Sequence, residues 1–196
     1  MLRQREASVL IIAVILFIYF AATTSHFVSH GSYVVIAQYM APYVIIGIGL
    51  VLLMICLEID LSVGFVWTLS PYVMRFFVDS GVPTFLAIVI TVLILGAVIG
   101  FINGFVTTVL GVPSLITTLA TGYIIFGYTL TISAAQQVNV PPESLGLGHW
   151  FGFEAWSEII WASVLVLIFQ VILTRTRWGL YTVSVGGNLL GAREAG

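Results

Sequence analysis

The sequence contains no lysine, only one cysteine and three histidines, and just 7% of its 196 residues are charged. A soluble domain carries roughly a quarter charged residues, so this chain has too few charges to form a water-facing surface. The scarcity of positive charge also excludes a basic nucleic-acid binder, and no nucleic-acid partner is expected. Together with 60% apolar residues and a mean hydropathy of +1.16, these deficits predict a membrane protein.

The absence of lysine and the isolation of Cys56 limit the chemistry further. A P-loop needs a Gly-Lys-Ser/Thr sequence to hold nucleotide phosphates, so ATP-driven work by this chain requires a partner protein. A lone cysteine forms no internal disulfide, and the three histidines are too scattered for a metal site. We expect no metal, no cofactor and no catalytic residue, because the ionisable groups are too sparse for a membrane-embedded enzyme.

Charged and turn-forming residues separate apolar segments that approach the roughly 20 residues needed to span a bilayer. The sequence therefore predicts an all-α, polytopic membrane protein with six transmembrane helices. The predicted spans are 7–24, 42–57, a third apolar stretch that ends near Val78, 84–110, 114–133 and 158–174. Residues 136–157 are polar and are predicted to form an external loop.

The arginines agree with an even number of crossings. Arg75 is the single arginine on one side of the predicted topology. The other side holds Arg3, Arg5, Arg175, Arg177 and Arg193. The positive-inside rule makes that side, with the N-terminus, cytoplasmic. Residues 23–26 lack the small-residue cleavage site of a signal peptide, so we expect the first helix to be retained.

Glu58 and Asp60 lie between the second and third predicted spans. Within hydrocarbon they would need a partner or a water-filled cavity, whereas in a cytoplasmic turn they would simply be solvated. The topology favours the turn, or a helix break near the edge of the bilayer. Asp60 and Ser62 could also cap the third helix, and Arg75 and Asp79 are spaced for an ion pair on it.

The fourth and fifth spans carry uncharged polar side chains. Three glycines four residues apart, from Gly96 to Gly104, form a face that allows close helix packing, and Asn103 on the same span needs a hydrogen-bond partner. A polar translocation path is predicted to use Asn103, Thr117, Thr118 and Thr121. The alternative for the threonines is that each hydroxyl bonds back to its own helix.

Residues 58–64, Glu-Ile-Asp-Leu-Ser-Val-Gly, resemble the IDLSVG signature of ribose/xylose-type ABC importer permeases, with Glu58, Asp60, Ser62 and Gly64 as matched or neighbouring positions. Three further motifs follow in the family order: the Gly96–Gly104 segment with its Asn103, Val-Pro-Ser-Leu-Ile-Thr-Thr-Leu at 112–119, and Thr-Arg-Trp-Gly at 176–179 followed by Gly-Gly-Asn at 186–188. Glu58 replaces a glycine of many members, and residues 189–196 depart from the usual Pro-x-Ala-Ala-Arg pattern. The resemblance covers residues 40–196.

The resemblance implies a permease subunit that moves a monosaccharide such as ribose or xylose across the bacterial cytoplasmic (inner) membrane. Its implied partners are ATP-binding ABC subunits, an extracytoplasmic sugar-binding protein, a second permease subunit and the lipid bilayer. The segment that docks on the ATPase would include or adjoin Gly186, Gly187, Asn188, Arg193 and Glu194. Because family members are longer, residues 1–196 are expected to form a single permease domain that lacks the C-terminal part.

Other functions remain open from the sequence. Related ABC permeases carry branched-chain amino acids or nucleosides. An ion-coupled secondary transporter would use Glu58 and Asp60 as a proton or sodium relay. An assembly subunit without a passage of its own is a further alternative.

Overall fold

The computed structural model describes residues 4–134, 136–138 and 156–187. These residues form helices and connecting turns and contain no strand, so the all-α prediction is confirmed. The helices are α1 (Gln4–Thr23), α2 (His30–Ile55), α3 (Val63–Asp79), α4 (Thr84–Thr108), α5 (Ser114–Ser133), α6 (Ser157–Arg175) and α7 (Arg177–Gly187).

Four helices, α2, α4, α5 and α6, are long and apolar enough to cross a membrane. The apolar part of α1, Ala7–Thr23, is shorter, and α3 has 17 residues. The chain is therefore a multi-pass membrane protein, while the predicted count of six spans is not confirmed. Large apolar side chains such as Ile124 and Phe101 are exposed on the helix surfaces, as lipid-facing positions require.

Helix α2 begins at His30 rather than near Pro42, where the sequence placed the start of the second span. Ser29 caps it, because the Ser29 hydroxyl accepts a hydrogen bond from the Ser32 amide at 3.3 Å. Pro42 lies inside the helix. Proline is tolerated within membrane helices because neighbouring groups satisfy the freed carbonyl, so it does not mark a boundary here.

The turns between α3, α4 and α5 follow the prediction from glycine and proline. Gly81 and Gly111 adopt positive φ angles of 86° and 72°, which glycine reaches without steric cost. Pro83 and Pro113 then precede α4 and α5. The predicted ion pair on α3 is also present, with Arg75 Nε 2.7 Å from Asp79 Oδ1.

The helices pack in two groups. Helix α2 packs against α6 and α7, and α3 packs against α4 and α5. A small apolar core of Leu69, Leu95 and Ile125 holds the second group together. Phe65 packs so closely on Gly122 that a Cβ at that glycine would lie 2.5 Å from Phe65 Cδ2. The short segment between α2 and α3 is the connection between the two groups that lies wholly within the described residues.

Candidate functional site

The segment 56–62, which we call the α2–α3 linker, begins with a tight helix end. Leu57 has a positive φ of 65°. Its amide donates to the Met54 carbonyl at 3.0 Å, and the Glu58 amide donates to the Leu53 carbonyl at 3.0 Å. This pattern is the Schellman motif, in which glycine usually occupies the left-handed position. A leucine there adds strain of about 1–2 kcal/mol, so the helix end is held by the surrounding structure.

Hydroxyl groups from the first turns of α5 satisfy the backbone of the linker. The Ile59 amide donates to Ser114 Oγ at 3.1 Å, and the Leu61 amide donates to Thr118 Oγ1 at 3.0 Å. The Thr118 hydroxyl lies 3.2 Å from the Ile59 carbonyl and 2.8 Å from the Ser114 carbonyl, either of which can accept its proton. Backbone amides outside a regular helix need hydrogen-bond partners where water does not reach them, and α5 supplies them here.

A buried polar chain joins the linker to α4. Asp60 Oδ1 accepts hydrogen bonds from the Ser62 amide at 2.7 Å and the Ser62 hydroxyl at 2.6 Å. Asn103 Nδ2 donates to the same Ser62 hydroxyl at 3.0 Å. Ser62 is 1% exposed and Asn103 is 7% exposed. These hydrogen bonds fix the linker to α4, and among the described residues Asn103 Oδ1 is the one side-chain oxygen of this network that is buried without a partner.

These contacts refine what the sequence left open for the acidic residues. Asp60 is half-buried and accepts from Ser62, whereas the Ser62 side chain makes no capping bond to α3. Glu58 is also half-buried, and within the described ranges its carboxylate has no hydrogen bond or ion pair. Gly64 is exposed in the first turn of α3. No atom of the described chain lies within 4 Å of a Cβ built at this glycine.

The residues predicted for the translocation path have different environments. Asn103 and Thr118 are brought together around the linker. Thr117 is buried with an unpartnered hydroxyl, and Asn103 Oδ1 is likewise unpartnered among the described residues. Thr121 is half-buried. Their role in a path therefore remains a prediction, and two of them already have a structural task.

The glycines that pack closely are not those of the Gly96–Gly104 face. Within the described part of the chain, nothing lies within 4 Å of a Cβ built at Gly96, Gly100 or Gly104. Close packing occurs instead at Gly186, where a Cβ would collide with the Ile55 carbonyl. Helix α7 is therefore in backbone contact with the end of α2.

Among the residues predicted for ATPase docking, only two fall within the described chain. Gly186 contacts the end of α2, and the position of a Cβ at Gly187 is open. Asn188, Arg193 and Glu194 lie outside the described residues. Near the same contact, Cys56 Sγ lies 3.9 Å from the Thr182 carbonyl.

A cavity of about 590 Å³ lies between the two helix groups, with α2 and α6 on one side and α3 and α4 on the other. Its lining is mostly apolar. The polar members are Ser70, Thr91 and Glu158. Thr91 is 3% exposed and its hydroxyl has no partner among the described residues.

A second cavity of about 590 Å³ adjoins α2 and α3 beside residues 137–138. Tyr43, Thr68, Tyr72 and Gln137 contribute polar groups to it, and Trp67 lines both cavities. Tyr43 and Trp67 were not predicted as site residues from the sequence. The position of Tyr43 could have indicated it. Tryptophan and tyrosine are usually found at the ends of membrane helices, but Tyr43 lies within a long apolar stretch.

Comparison with known proteins gives the family. The family described as branched-chain amino acid transport system / permease component matches residues 32–196. The xylose/arabinose import permease protein of Sulfolobus acidocaldarius is 32% identical over 203 residues, covering 99% of this chain and 56% of the relative. The autoinducer 2 import system permease protein of Salmonella typhi is 29% identical over 194 residues, covering 98% and 56%.

A shorter match has higher identity. The L-arabinose transport system permease protein of Escherichia coli (strain K12) is 42% identical over 99 residues, covering 48% of this chain and 29% of the relative. No solved structure matches the chain significantly. The chain spans about half the length of the curated relatives that match it from end to end. By the extent of these matches, the chain belongs to the branched-chain amino acid transport system / permease component family of membrane transport proteins.

Proposed function

We propose that the chain acts within the permease subunit of an ABC importer that carries a pentose of the xylose or arabinose type. The observation that carries this proposal is the similarity to a xylose/arabinose import permease over 99% of the chain. The second relative that bears a sugar in its name, an L-arabinose permease, points to the same substrate class. In this proposal residues 1–196 form a single transmembrane permease domain.

The energy comes from a partner in this proposal. The chain has no lysine and therefore no P-loop, so a separate ATP-binding subunit hydrolyses ATP. A sugar-binding protein outside the bacterial cytoplasmic membrane delivers the substrate, and a second permease subunit completes the passage. The contact of Gly186 with the end of α2 supports a coupling role for α7, because α2 also forms a wall of the cavity between the helix groups.

The passage of a neutral sugar needs hydroxyl and amide groups rather than charges. Asn103 and Thr118 form hydrogen bonds with the linker, so in this proposal they fix the position of the end of α2 relative to α4 and α5. Thr117 and Thr121 have no such task and remain the candidates on α5 for the path. The linker network supports a discontinuous helix at the passage, since irregular backbone in a membrane occurs where protein or a water-filled cavity surrounds it.

The test is uptake by the complete system. The gene would be expressed with its cognate ATPase and binding protein in cells that lack pentose uptake, and labelled xylose, arabinose, leucine and a nucleoside would be supplied. We expect pentose uptake that stops when the Walker A lysine of the ATPase is replaced. Uptake of leucine or the nucleoside alone would contradict the proposed substrate. Pentose uptake that continues without the ATPase and follows the proton gradient would contradict the ABC mechanism.

A further inference from the structure

Two aromatic side chains meet beside the middle of α2. Tyr43 of α2 and Trp67 of α3 have ring centroids 5.4 Å apart and ring planes inclined at 61°. Tyr43 lies near the midpoint of the 26-residue helix α2, about 20 Å from either end at 1.5 Å rise per residue. Aromatic belts lie at the membrane–water interfaces, so anchoring at the headgroups does not account for Tyr43.

The polar ends of both side chains have no hydrogen-bond partner among the described residues. Neither the Tyr43 hydroxyl nor the Trp67 indole N–H forms a hydrogen bond with any described residue. The two residues are 66% and 40% exposed, so an incoming molecule can reach them. A hydroxyl or indole N–H surrounded by hydrocarbon without a hydrogen bond is unfavourable. The pair is therefore suited to an occupant that brings polar groups of its own.

The two cavities that meet at Trp67 define the size and charge of that occupant. Each is about 590 Å³, within the range of about 300–1,000 Å³ that holds small molecules. The cavity that contains Tyr43 adds the Gln137 amide, and its described lining includes no charged side chain. The other cavity has one acidic side chain, Glu158, and no basic side chain in its described lining. A zwitterionic amino acid would need charged or strongly polar partners for both of its ionised groups, whereas a neutral polyhydroxylated ring needs none.

The faces of the Tyr43 and Trp67 rings also suit a sugar ring. In an edge-to-face contact the edge of one ring meets one face of the other, which leaves the remaining faces of the two rings available. A sugar ring presents C–H groups on its faces and hydroxyls around its edge. Its faces can pack on an aromatic ring while its hydroxyls bond to the Tyr43 hydroxyl, the Trp67 N–H and the Gln137 amide.

We infer that Tyr43 and Trp67 form a stacking site for a neutral monosaccharide ring, at the boundary between the two cavities. This inference rests on the proposed function and adds the site at which the sugar is held within the membrane. Few hydrogen bonds and one aromatic platform give weak binding, which a transport site requires so that the substrate can leave.

The experiment uses the complete importer and measures pentose uptake as a function of sugar concentration. Trp67→Leu removes the ring and is expected to lower uptake efficiency about tenfold, a loss of about 1.4 kcal/mol. Trp67→Phe keeps a ring and is expected to stay within about threefold of the wild type, a shift of roughly 0.6 kcal/mol. Trp156→Leu is the matched control, because Trp156 is an exposed tryptophan that lines neither cavity.

The outcomes distinguish a failure of the stacking site from a failure of the proposed function. If the wild-type importer takes up pentose but Trp67→Leu and Trp156→Leu have the same uptake efficiency, the stacking site is overturned and the proposed function stands. Equal losses in Trp67→Leu and Trp67→Phe would also overturn it, because the ring would not matter. If Trp67→Leu does not assemble with the ATPase, Tyr43→Phe replaces it in the test. Loss of that hydroxyl is expected to lower uptake efficiency about threefold, and unchanged uptake would overturn the site.

Discussion

Removing the Ser62 hydroxyl breaks the chain of hydrogen bonds between Asp60 and Asn103. Ser62 is 1% exposed, so water cannot replace the lost partner. Ser62→Ala removes the 2.6 Å bond to Asp60 and leaves the Asn103 amide without its 3.0 Å acceptor. The bond from the Ser62 amide to Asp60 remains, because it uses the backbone.

The expected magnitude follows from these two bonds. A hydrogen bond to a charged acceptor contributes about 1.5–3 kcal/mol and a neutral one about 1 kcal/mol. Polar pairs between membrane helices average only about 0.6 kcal/mol, because the unfolded helices also find partners. We therefore expect Ser62→Ala to lower the free energy of unfolding by about 2 kcal/mol.

The assay is reversible unfolding of the purified permease in mixed detergent micelles. Ser163→Ala is the matched control, because the exposed Ser163 hydroxyl bonds only to the Ile159 carbonyl of its own helix at 2.7 Å. Its expected loss is below about 0.5 kcal/mol. Ser62→Ala and Asn103→Leu form a double-mutant cycle, and their combined loss should fall short of the sum by about 1 kcal/mol. Additive losses, or Ser62→Ala equal to Ser163→Ala, would refute the network.

Two further substitutions, one of them with a matched control, test the C-terminal end of α2. Leu57→Gly should raise the free energy of unfolding by about 1 kcal/mol in the same assay, because glycine reaches the positive φ of 65° without strain; a loss of stability would show that the exposed leucine side chain matters more than its backbone. Gly186→Ala should reduce ATP-dependent pentose uptake, because its Cβ would collide with the Ile55 carbonyl, whereas Gly187→Ala, with open space at its Cβ, should leave uptake unchanged. Equal uptake by the two alanine variants would show that the contact of α7 with α2 is not needed for transport.

The sequence predicted the helical class and the turns well, because both depend on local chemistry. Glycine and proline mark the turns before α4 and α5, and the charge deficit alone indicates a membrane protein. The boundary at Pro42 was wrong because proline breaks a helix in water more strictly than in a membrane. There, neighbouring groups can satisfy the freed carbonyl.

The site was harder to predict because its contacts join residues far apart in the chain. Asp60, Ser62 and Asn103 were each singled out, but the hydrogen bond between Ser62 and Asn103 spans 41 positions. Nothing in the local pattern around Thr118 shows that its hydroxyl serves the linker. Likewise, the Gly96–Gly104 spacing predicts close packing, but spacing alone does not say how near a neighbouring helix comes. No atom of the described chain lies within 4 Å of a Cβ built at these glycines.

The contact between Gly186 and the Ile55 carbonyl joins main chain to main chain. Side chains that join two helices can change rotamer and absorb part of a displacement, whereas two backbones in direct contact have no such freedom. Small shifts of α7 would therefore reach α2 with little loss of amplitude. Because the linker is hydrogen-bonded to α4 and α5, the movement would be taken up at residues 56–58, and the width of the cavity between the helix groups would change with it.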